Sequence, residues 1–135
     1  MDLYSRRIVG WATSDRLKKE LALNALGQAV ALRDPPPSLI HHSDRGSQYC
    51  SGAYRKALQA IKAQTSMSRK GNCYDNAVVE TFFKTIKSEL IWRMTFHSRA
   101  QAKGEIARYI DAFYNPIRRH STCGYTSPMK FEMMN

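Results

Sequence analysis

The chain has 135 residues, 43% of them hydrophobic, which is enough for one folded domain with an apolar core. That composition excludes wholesale disorder, and no apolar run approaches the roughly 18 residues that a membrane-spanning helix requires. The 21 lysines and arginines against 11 acidic residues give a formal charge of +10, which favours nucleic acid as a partner.

The N-terminus and the cysteines exclude further classes. Residues 1–7 lack the charged, apolar and small regions of a signal peptide, so we expect a soluble, intracellular protein. Cys50, Cys73 and Cys123 are odd in number and irregularly spaced. They predict neither a disulfide framework nor a zinc site.

The chain opens with a strand signal followed by a helix signal. The β-branched and aromatic run at 6–13 predicts a strand. Ser14 or Asp15 is predicted to cap a helix over 17–32, with Leu17 on its apolar surface. Three consecutive prolines end this helix.

Shorter elements follow in alternation. The run at 39–43 predicts a buried strand that delivers Asp44 to its C-terminal end, where a glycine-containing turn begins. A helix over 52–61 and a short strand at 63–66 come next. Residues 68–72 are interpreted as a mobile basic loop.

Two helices are predicted in the second half. The longest helix of the chain is expected to begin near Asp75 or Asn76 and to run to about Trp92, with a core stripe of Val79, Phe83, Ile86 and Leu90. A second helix over 98–114 opens with a capping-box pattern, and its predicted core residues are Ile106, Tyr109, Ile110 and Phe113. An Asn-Pro pair stops it, and the tail is interpreted as loop-like.

The order of the elements predicts an α/β domain with helices packed on a sheet. One domain suffices, with residues 1–115 forming the core and 116–135 a basic C-terminal tail of the same domain.

Two carboxylates are candidates for metal binding. Asp44 lies where a predicted strand meets a turn, a common place for functional residues in α/β sheets. Glu80 is expected about 100° around its helix from Val79, bordering the core, with Lys84 and Lys87 at nearly the same angle. Such a ridge suits a metal ligand with phosphate-binding lysines behind it, or a solvated face with a Glu80–Lys84 pair.

Several sequence segments, two of which contain these residues, resemble a known protein family. DLYSRRIVGW from Asp2, HSDRGSQY from His42, SMSRKGNCYDNAVVETFFKTIKSE from Ser66 and YNPIRRHSTCGYTSP from Tyr114 closely resemble bacterial insertion-sequence transposases of the OrfB type. These enzymes have a catalytic core like that of retroviral integrases. The family separates its second catalytic Asp and its Glu by 35 residues and places a Lys or Arg seven positions later. Asp44, Glu80 and Lys87 match that spacing.

The resemblance implies an RNase H-like fold and DNA strand cleavage and strand transfer dependent on Mg²⁺ or Mn²⁺. The implied partners are transposon ends and target DNA, in a homo-oligomer in the bacterial cytoplasm and associated with the nucleoid. Asp44 and Glu80 are then the catalytic, metal-binding pair, and their carboxyl groups are expected to converge.

A third carboxylate of the family pattern has no counterpart here. It lies on the opening strand of the family's sheet, and Asp2 matches a position on the second strand that is not a metal ligand. We therefore expect a core that is truncated at its N-terminus, lacks the first strand and is inactive alone.

Several basic residues are candidates for binding DNA, although each also has a structural explanation. Arg69 and Lys70 precede the helix of Glu80, and Arg118, Arg119 and His120 stand together in the tail. His41 and His42, beside Asp44, are more simply interpreted as hydrogen-bonded structural residues than as ligands.

Two other functions stay open. One is a non-catalytic fragment that binds DNA or interacts with transposase subunits. The other is an RNase H-like nuclease, which the basic tail argues against.

Overall fold

The computed structural model describes residues 1–68 and 76–135, and in these ranges it has five α-helices and two β-strands. The chain divides into two compact units. We call Val9–Ala77 the middle unit, and Met1–Ile8 with Val78–Asn135 the terminal unit. In the described ranges, no helix combines the length and apolar character needed to cross a membrane.

The middle unit is built around a small parallel sheet. Helix α1 (Lys19–Arg33) is followed by β1 (Ile40–Ser43), α2 (Gly52–Ala60) and β2 (Gln64–Met67). The two strands pair in parallel, with Ile40 opposite Gln64 and Ser43 opposite Met67. Parallel neighbours need a crossover connection, and α2 provides it.

Helix–helix packing supplies the core of this unit. Ala22 of α1 and Tyr54 and Leu58 of α2 are buried, and half-buried apolar residues surround them. Ser51 caps α2, because its side chain accepts a hydrogen bond from the Tyr54 N–H at 3.2 Å. The predicted helix and two strands between residues 39 and 66 are thus confirmed to within about one residue.

Three predictions for this unit are wrong in detail. Helix α1 begins after Lys18 without a side-chain cap, because the Ser14 hydroxyl instead accepts from the nearby Arg16 N–H. Leu17 lies outside the helix and is 84% exposed. Strand β1 is less buried than expected, since Ile40 is 67% exposed in a sheet of only two strands.

The strand predicted at 6–13 is absent from the structure. A strand requires a ladder of backbone hydrogen bonds, but several polar backbone groups of this segment bond to side chains instead. The Asn115 amide pairs with both the N–H and the C=O of Ile8, and the Trp11 N–H donates to the Gln28 side chain. The segment therefore keeps an irregular conformation.

Helices dominate the terminal unit. It contains most of α3 (Ala77–Glu89), then α4 (Arg99–Arg108), which continues as a π-helical segment over Tyr109–Tyr114. Helix α4 is capped as predicted, since the Ser98 hydroxyl accepts from the Gln101 N–H at 3.0 Å. Helix α5 (Pro128–Met134) closes the chain.

The predicted core stripes of this unit need correction. On α3 the structure buries Phe82 and Ile86 and leaves Val79 and Phe83 exposed, and Leu90, directly after the helix, is buried as predicted. In the π-helical segment Tyr114 is buried and Phe113 is not, because the wider turn rotates Phe113 away from Ile110. Helix α3 is also shorter than α1, so it is not the longest helix described.

The tail at 116–135 is folded rather than loop-like. A 3₁₀ turn at Ser121–Cys123 and α5 occupy it. The side chains of Ser5 and Arg7 donate hydrogen bonds to Glu132 at 2.7 and 2.8 Å. Long-range polar contacts of this kind join the two ends of the chain within the terminal unit.

Candidate functional site

Asp44 lies directly after β1 with an exposed side chain. Its Oδ1 accepts a hydrogen bond of 2.7 Å from the Gly46 N–H, an Asx turn that orients the carboxylate. A Cβ on Gly46 would lie 2.9 Å from that Oδ1 and 3.0 Å from the Gln48 amide atoms. The glycine of the HSDRGSQY motif therefore leaves room for the carboxylate and for Gln48.

Ser68 holds the Asp44 loop to the end of β2. It is buried, and its N–H donates to the Ser43 carbonyl at 2.9 Å. Its carbonyl accepts from the Arg45 Nε at 2.9 Å, and its hydroxyl contacts His42 Nε2 at 3.1 Å. The same hydroxyl accepts from the Asn76 amide at 2.8 Å, so one serine links the Asp44 loop to the residue before α3.

The two histidines near Asp44 have structural partners, as the sequence favoured. His42 bridges the strands, since its Nδ1 lies 2.9 Å from the Ser66 hydroxyl. His41 Nε2 lies 2.8 Å from the Tyr54 hydroxyl. Burial lowers the pKa of His41 and raises the pKa of Tyr54 to about 12, so both are held neutral.

Glu80 lies in the first turn of α3 with its side chain exposed. The buried and half-buried residues of this helix are Val78, Phe82, Thr85, Ile86 and Glu89. At 100° per residue, Glu80, Lys84 and Lys87 lie about 140 to 180° around the axis from that face. They share one exposed ridge, as predicted, but the ridge is opposite the core rather than beside it.

Asp44 belongs to the middle unit and Glu80 to the terminal unit. The convergence of their carboxyl groups stays a prediction from the sequence. Asp2 has a local structural role, because its Oδ1 accepts from the Tyr4 and Ser5 N–H groups at 2.8 and 3.3 Å.

Arg118, predicted to bind DNA, is held within the protein by Glu89. Its Nε and Nη2 donate to the Glu89 carboxylate at 2.8 to 3.0 Å, and the Tyr109 hydroxyl donates to the same carboxylate at 2.5 Å. Hydrogen bonding from Arg118 lowers the pKa of Glu89. Sequence reasoning missed this cluster, because its three residues carry no shared local pattern.

The remaining basic candidates differ in exposure. Arg119 is exposed, whereas His120 is half-buried and its ring packs against Tyr114 at 5.0 Å between centroids. Burial, and then the Arg118 and Arg6 cations, lower the pKa of His120. Arg69 and Lys70 lie outside the described residues.

The donor chemistry of Asp44 and Glu80 fits a hard divalent cation. Both side chains are exposed carboxylates, the ligand type that Mg²⁺ and Mn²⁺ prefer. Within residues 1–68 and 76–135, no group of three or more His, Cys, Asp or Glu side chains is placed to hold a metal ion.

Two protein-family models match the chain. A family model described as an integrase core domain matches residues 1–73, more than half of the chain, and a second with the same description matches 61–128. The chain belongs to the integrase core domain family. Asp44 falls within the first match of this integrase core and Glu80 within the second.

Curated relatives of this integrase core are insertion-sequence proteins. The transposase for insertion sequence element IS904 of Lactococcus lactis is 48% identical over all 135 residues, which cover 53% of that protein. Transposase InsF for insertion sequence IS3A of Escherichia coli is 45% identical over the whole chain and 47% of its own length. These matches confirm the resemblance to insertion-sequence transposases, and the chain spans about half the length of its curated relatives.

Proposed function

We propose that this integrase core takes part in DNA transposition as an RNase H-like module for metal-dependent cleavage and transfer of DNA strands. The observation that carries the proposal is the pair of exposed carboxylates, Asp44 at the end of β1 and Glu80 in the first turn of α3. Both lie inside integrase core matches, at the family's spacing of 35 intervening residues.

In this proposal Asp44 and Glu80 bind Mg²⁺ or Mn²⁺. When bound, such an ion supplies Lewis-acid stabilisation of the attacking and leaving oxygens of a phosphodiester. The chain's own contribution is to orient the ligands. The Gly46 N–H fixes one Asp44 oxygen, and the Ser68 hydrogen bonds hold the loop that carries it.

The DNA-binding part of the proposal uses the basic residues. Lys84 and Lys87 share the exposed ridge of Glu80, where a strand positioned at the metal would meet them. Arg119, His120 and the pair Arg69 and Lys70 would contact phosphates elsewhere along the strand. Arg118 would act mainly by supporting its neighbours, because Glu89 already neutralises it. A homo-oligomer would bring several such cores to the transposon ends.

Direct measurement of Mn²⁺ binding tests the carboxylates. The free-ion signal in electron paramagnetic resonance reports how much Mn²⁺ the full chain binds. Asp44→Asn and Glu80→Gln should each weaken binding about tenfold or more, since each removes one charged ligand. If the double variant binds Mn²⁺ no more weakly than the weaker-binding single variant, the two carboxylates share one ion.

Matched controls come from the same chain. Glu20 is an exposed carboxylate in the first turn of α1, and Asp111 is an exposed aspartate in the π-helical segment. Glu20→Gln and Asp111→Asn should leave Mn²⁺ binding unchanged. Equal losses in test and control variants would overturn the metal-binding proposal.

The same variants separate catalysis from the alternative of a non-catalytic DNA-binding or subunit-interacting role. Strand transfer of a pre-cleaved end should be measured for this chain and for a full-length relative with the corresponding substitutions. Loss of transfer with retained DNA binding supports the catalytic role of Asp44 and Glu80. Transfer that survives both substitutions in the relative contradicts it.

A further inference from the structure

The terminal unit contains a cavity of about 470 Å³ on the side of α3 away from Glu80. Val78, Thr81, Phe82 and Thr85 of α3 form one wall. Three of them, Val78, Phe82 and Thr85, lie about 140 to 160° from Glu80 around the helix axis. The rest is formed by Met1, Arg6, Tyr114 and residues 118–122. The cavity is therefore separate from the carboxylate proposed to bind metal.

The charge around this cavity is positive. Arg6, Arg118, Arg119 and His120 all line it. Glu89 offsets Arg118 through two parallel hydrogen bonds, so the uncompensated charge comes from Arg6 and Arg119. Burial is the main cause of the lowered pKa of His120, and the nearby Arg118 and Arg6 cations lower it further.

Hydrogen-bonding groups accompany the charge. Hydroxyls of Thr85, Ser121 and Thr122 line the cavity, and Arg6 Nε lies 3.4 Å from the Thr122 hydroxyl. The guanidinium of Arg6 has five N–H donors, of which that contact uses one. Within the described residues, His120 Nε2 is buried without a hydrogen-bond partner. A buried polar atom in that state is costly unless a ligand or water satisfies it.

The backbone at Arg6 is held in an uncommon conformation. Its φ is 65°, in the left-handed region that residues other than glycine rarely adopt. Flanking hydrogen bonds maintain it, from the Asp2 N–H to the Arg7 carbonyl at 2.8 Å and between Ile8 and Asn115. Strain of this kind concentrates at binding sites, and here it accompanies a side chain that lines the cavity.

We propose that this cavity binds one phosphate group of a DNA strand, with Arg6 and Arg119 supplying the charge and the Thr122 and Ser121 hydroxyls completing the contacts. Its volume is within the range of small-ligand sites and accommodates a phosphate with part of its nucleotide. Because it lies on the opposite side of α3 from Glu80, it holds the strand rather than reacting with it. The choice of DNA as the source of the phosphate rests on the proposed function.

Binding of a fluorescent 12-nucleotide single strand to the full chain in EDTA tests this site. Arg6→Gln and Arg119→Gln should each weaken binding about five- to tenfold at low salt. Each should also lower the slope of log K against log salt by roughly 0.7, the value for one lost single-strand phosphate contact. The control Arg55→Gln removes the same charge from an exposed site on α2 and should change affinity less than twofold.

A second readout locates the ligand. Inorganic phosphate should shift the imidazole signals of His120 in a ¹⁵N NMR titration, and Thr122→Val should weaken this response without changing the charge. Absent shifts at His120, or Arg55→Gln losses equal to those of Arg6→Gln and Arg119→Gln, would overturn the site. Phosphate binding with no binding of the oligonucleotide would overturn its assignment to DNA.

These outcomes are distinct from those of the metal experiment. EDTA removes any metal ion that Asp44 and Glu80 would bind. Failure of the metal site therefore leaves the phosphate result unchanged. Arg6→Gln and Arg119→Gln should in turn leave Mn²⁺ binding intact. Thermal unfolding of each variant identifies any loss that comes from misfolding.

Discussion

At the scale of single residues, the environment of Asp44 is set by short-range geometry. The Gly46 N–H holds one carboxylate oxygen, and the absence of a side chain at Gly46 leaves space for that oxygen and for Gln48. The arrangement costs little, because the turn involves three consecutive residues and no positive φ. A metal ligand oriented in this way loses less conformational entropy on binding.

Gly46→Ala tests this orientation. The new Cβ would lie 2.9 Å from Asp44 Oδ1, so the carboxylate must leave its preferred conformation. Because the crowded atoms are side-chain ends, the fold should remain, and displacement should cost about 0.5–1.5 kcal/mol of Mn²⁺ affinity, or two- to tenfold. Titration with Mn²⁺ measures it. Unchanged affinity would mean that the orientation of Asp44 is irrelevant to metal binding.

At the scale of elements, the sequence predicted what local signals determine. The Ser98 cap and the prolines after α1 act within a few residues of the helix ends that they mark, and those ends were predicted to within about one residue. Helix α3 was placed correctly, but its buried face was not. Val79 with Phe83, and Phe82 with Ile86, have the same helical spacing. Packing of Phe82 on Tyr114, at 5.1 Å between ring centroids, decides between them.

Contacts between distant residues account for the other errors. Ile8 and the folded tail depend on Asn115, whose side chain pairs with Ile8 and whose carbonyl accepts from the Met129 N–H at 3.0 Å. A pattern within one segment does not contain such partners. The same holds for the site, since motifs indicated Asp44 and Glu80 whereas the Glu89–Arg118 pair spans 29 positions.

Asn115→Ala should therefore destabilise the protein. Asn115 is 5% exposed, and its loss leaves the buried N–H and C=O of Ile8 without partners. The expected decrease in the free energy of unfolding is about 2–4 kcal/mol. Urea denaturation followed by circular dichroism measures it, with the exposed Asn24→Ala on α1 as a control that should not destabilise. A decrease below about 0.5 kcal/mol would contradict this role.

Alanine substitutions at two glycines of the middle unit should have opposite effects on stability. A Cβ on Gly10 would lie 2.1 Å from the Ala25 carbonyl oxygen and 2.9 Å from the Ala29 nitrogen, both backbone atoms of α1. Gly10→Ala should thus cost about 3 kcal/mol or more. Gly27, within α1, has open space, so Gly27→Ala should stabilise by about 0.5–1 kcal/mol. Thermal unfolding of both variants measures the direction of each change in stability. A Gly10→Ala variant of unchanged stability would contradict this close packing.

At the scale of the whole molecule, positive charge is the dominant property. The formal charge of +10 favours association with DNA and opposes compaction through self-repulsion. The pair of Glu89 and Arg118 and the contact between Arg7 and Glu132 offset part of it locally. Protonation of the half-buried His41 and His120 in acid would add to this positive charge.

Stability should consequently fall on acidification from about pH 7 to pH 5. Burial lowers the pKa of both His41 and His120 below the ordinary 6.5, so the unfolded chain takes up these protons first and is favoured as pH falls. Arg118 and Arg6 near His120 lower its pKa further, and Glu89 raises it. The contribution of Glu89 itself is lost only at more acidic pH, as the pH falls through its lowered pKa.

Melting temperatures at pH 8, 6.5 and 5 measure this dependence. His120→Gln and His41→Gln should each make it shallower, because each removes a group that binds its proton more readily in the unfolded chain. The exposed Arg55→Gln on α2 should leave the slope as it is, which separates burial from a general loss of positive charge. If all three variants kept the slope of the unaltered chain, self-repulsion rather than these two imidazoles would limit stability in acid.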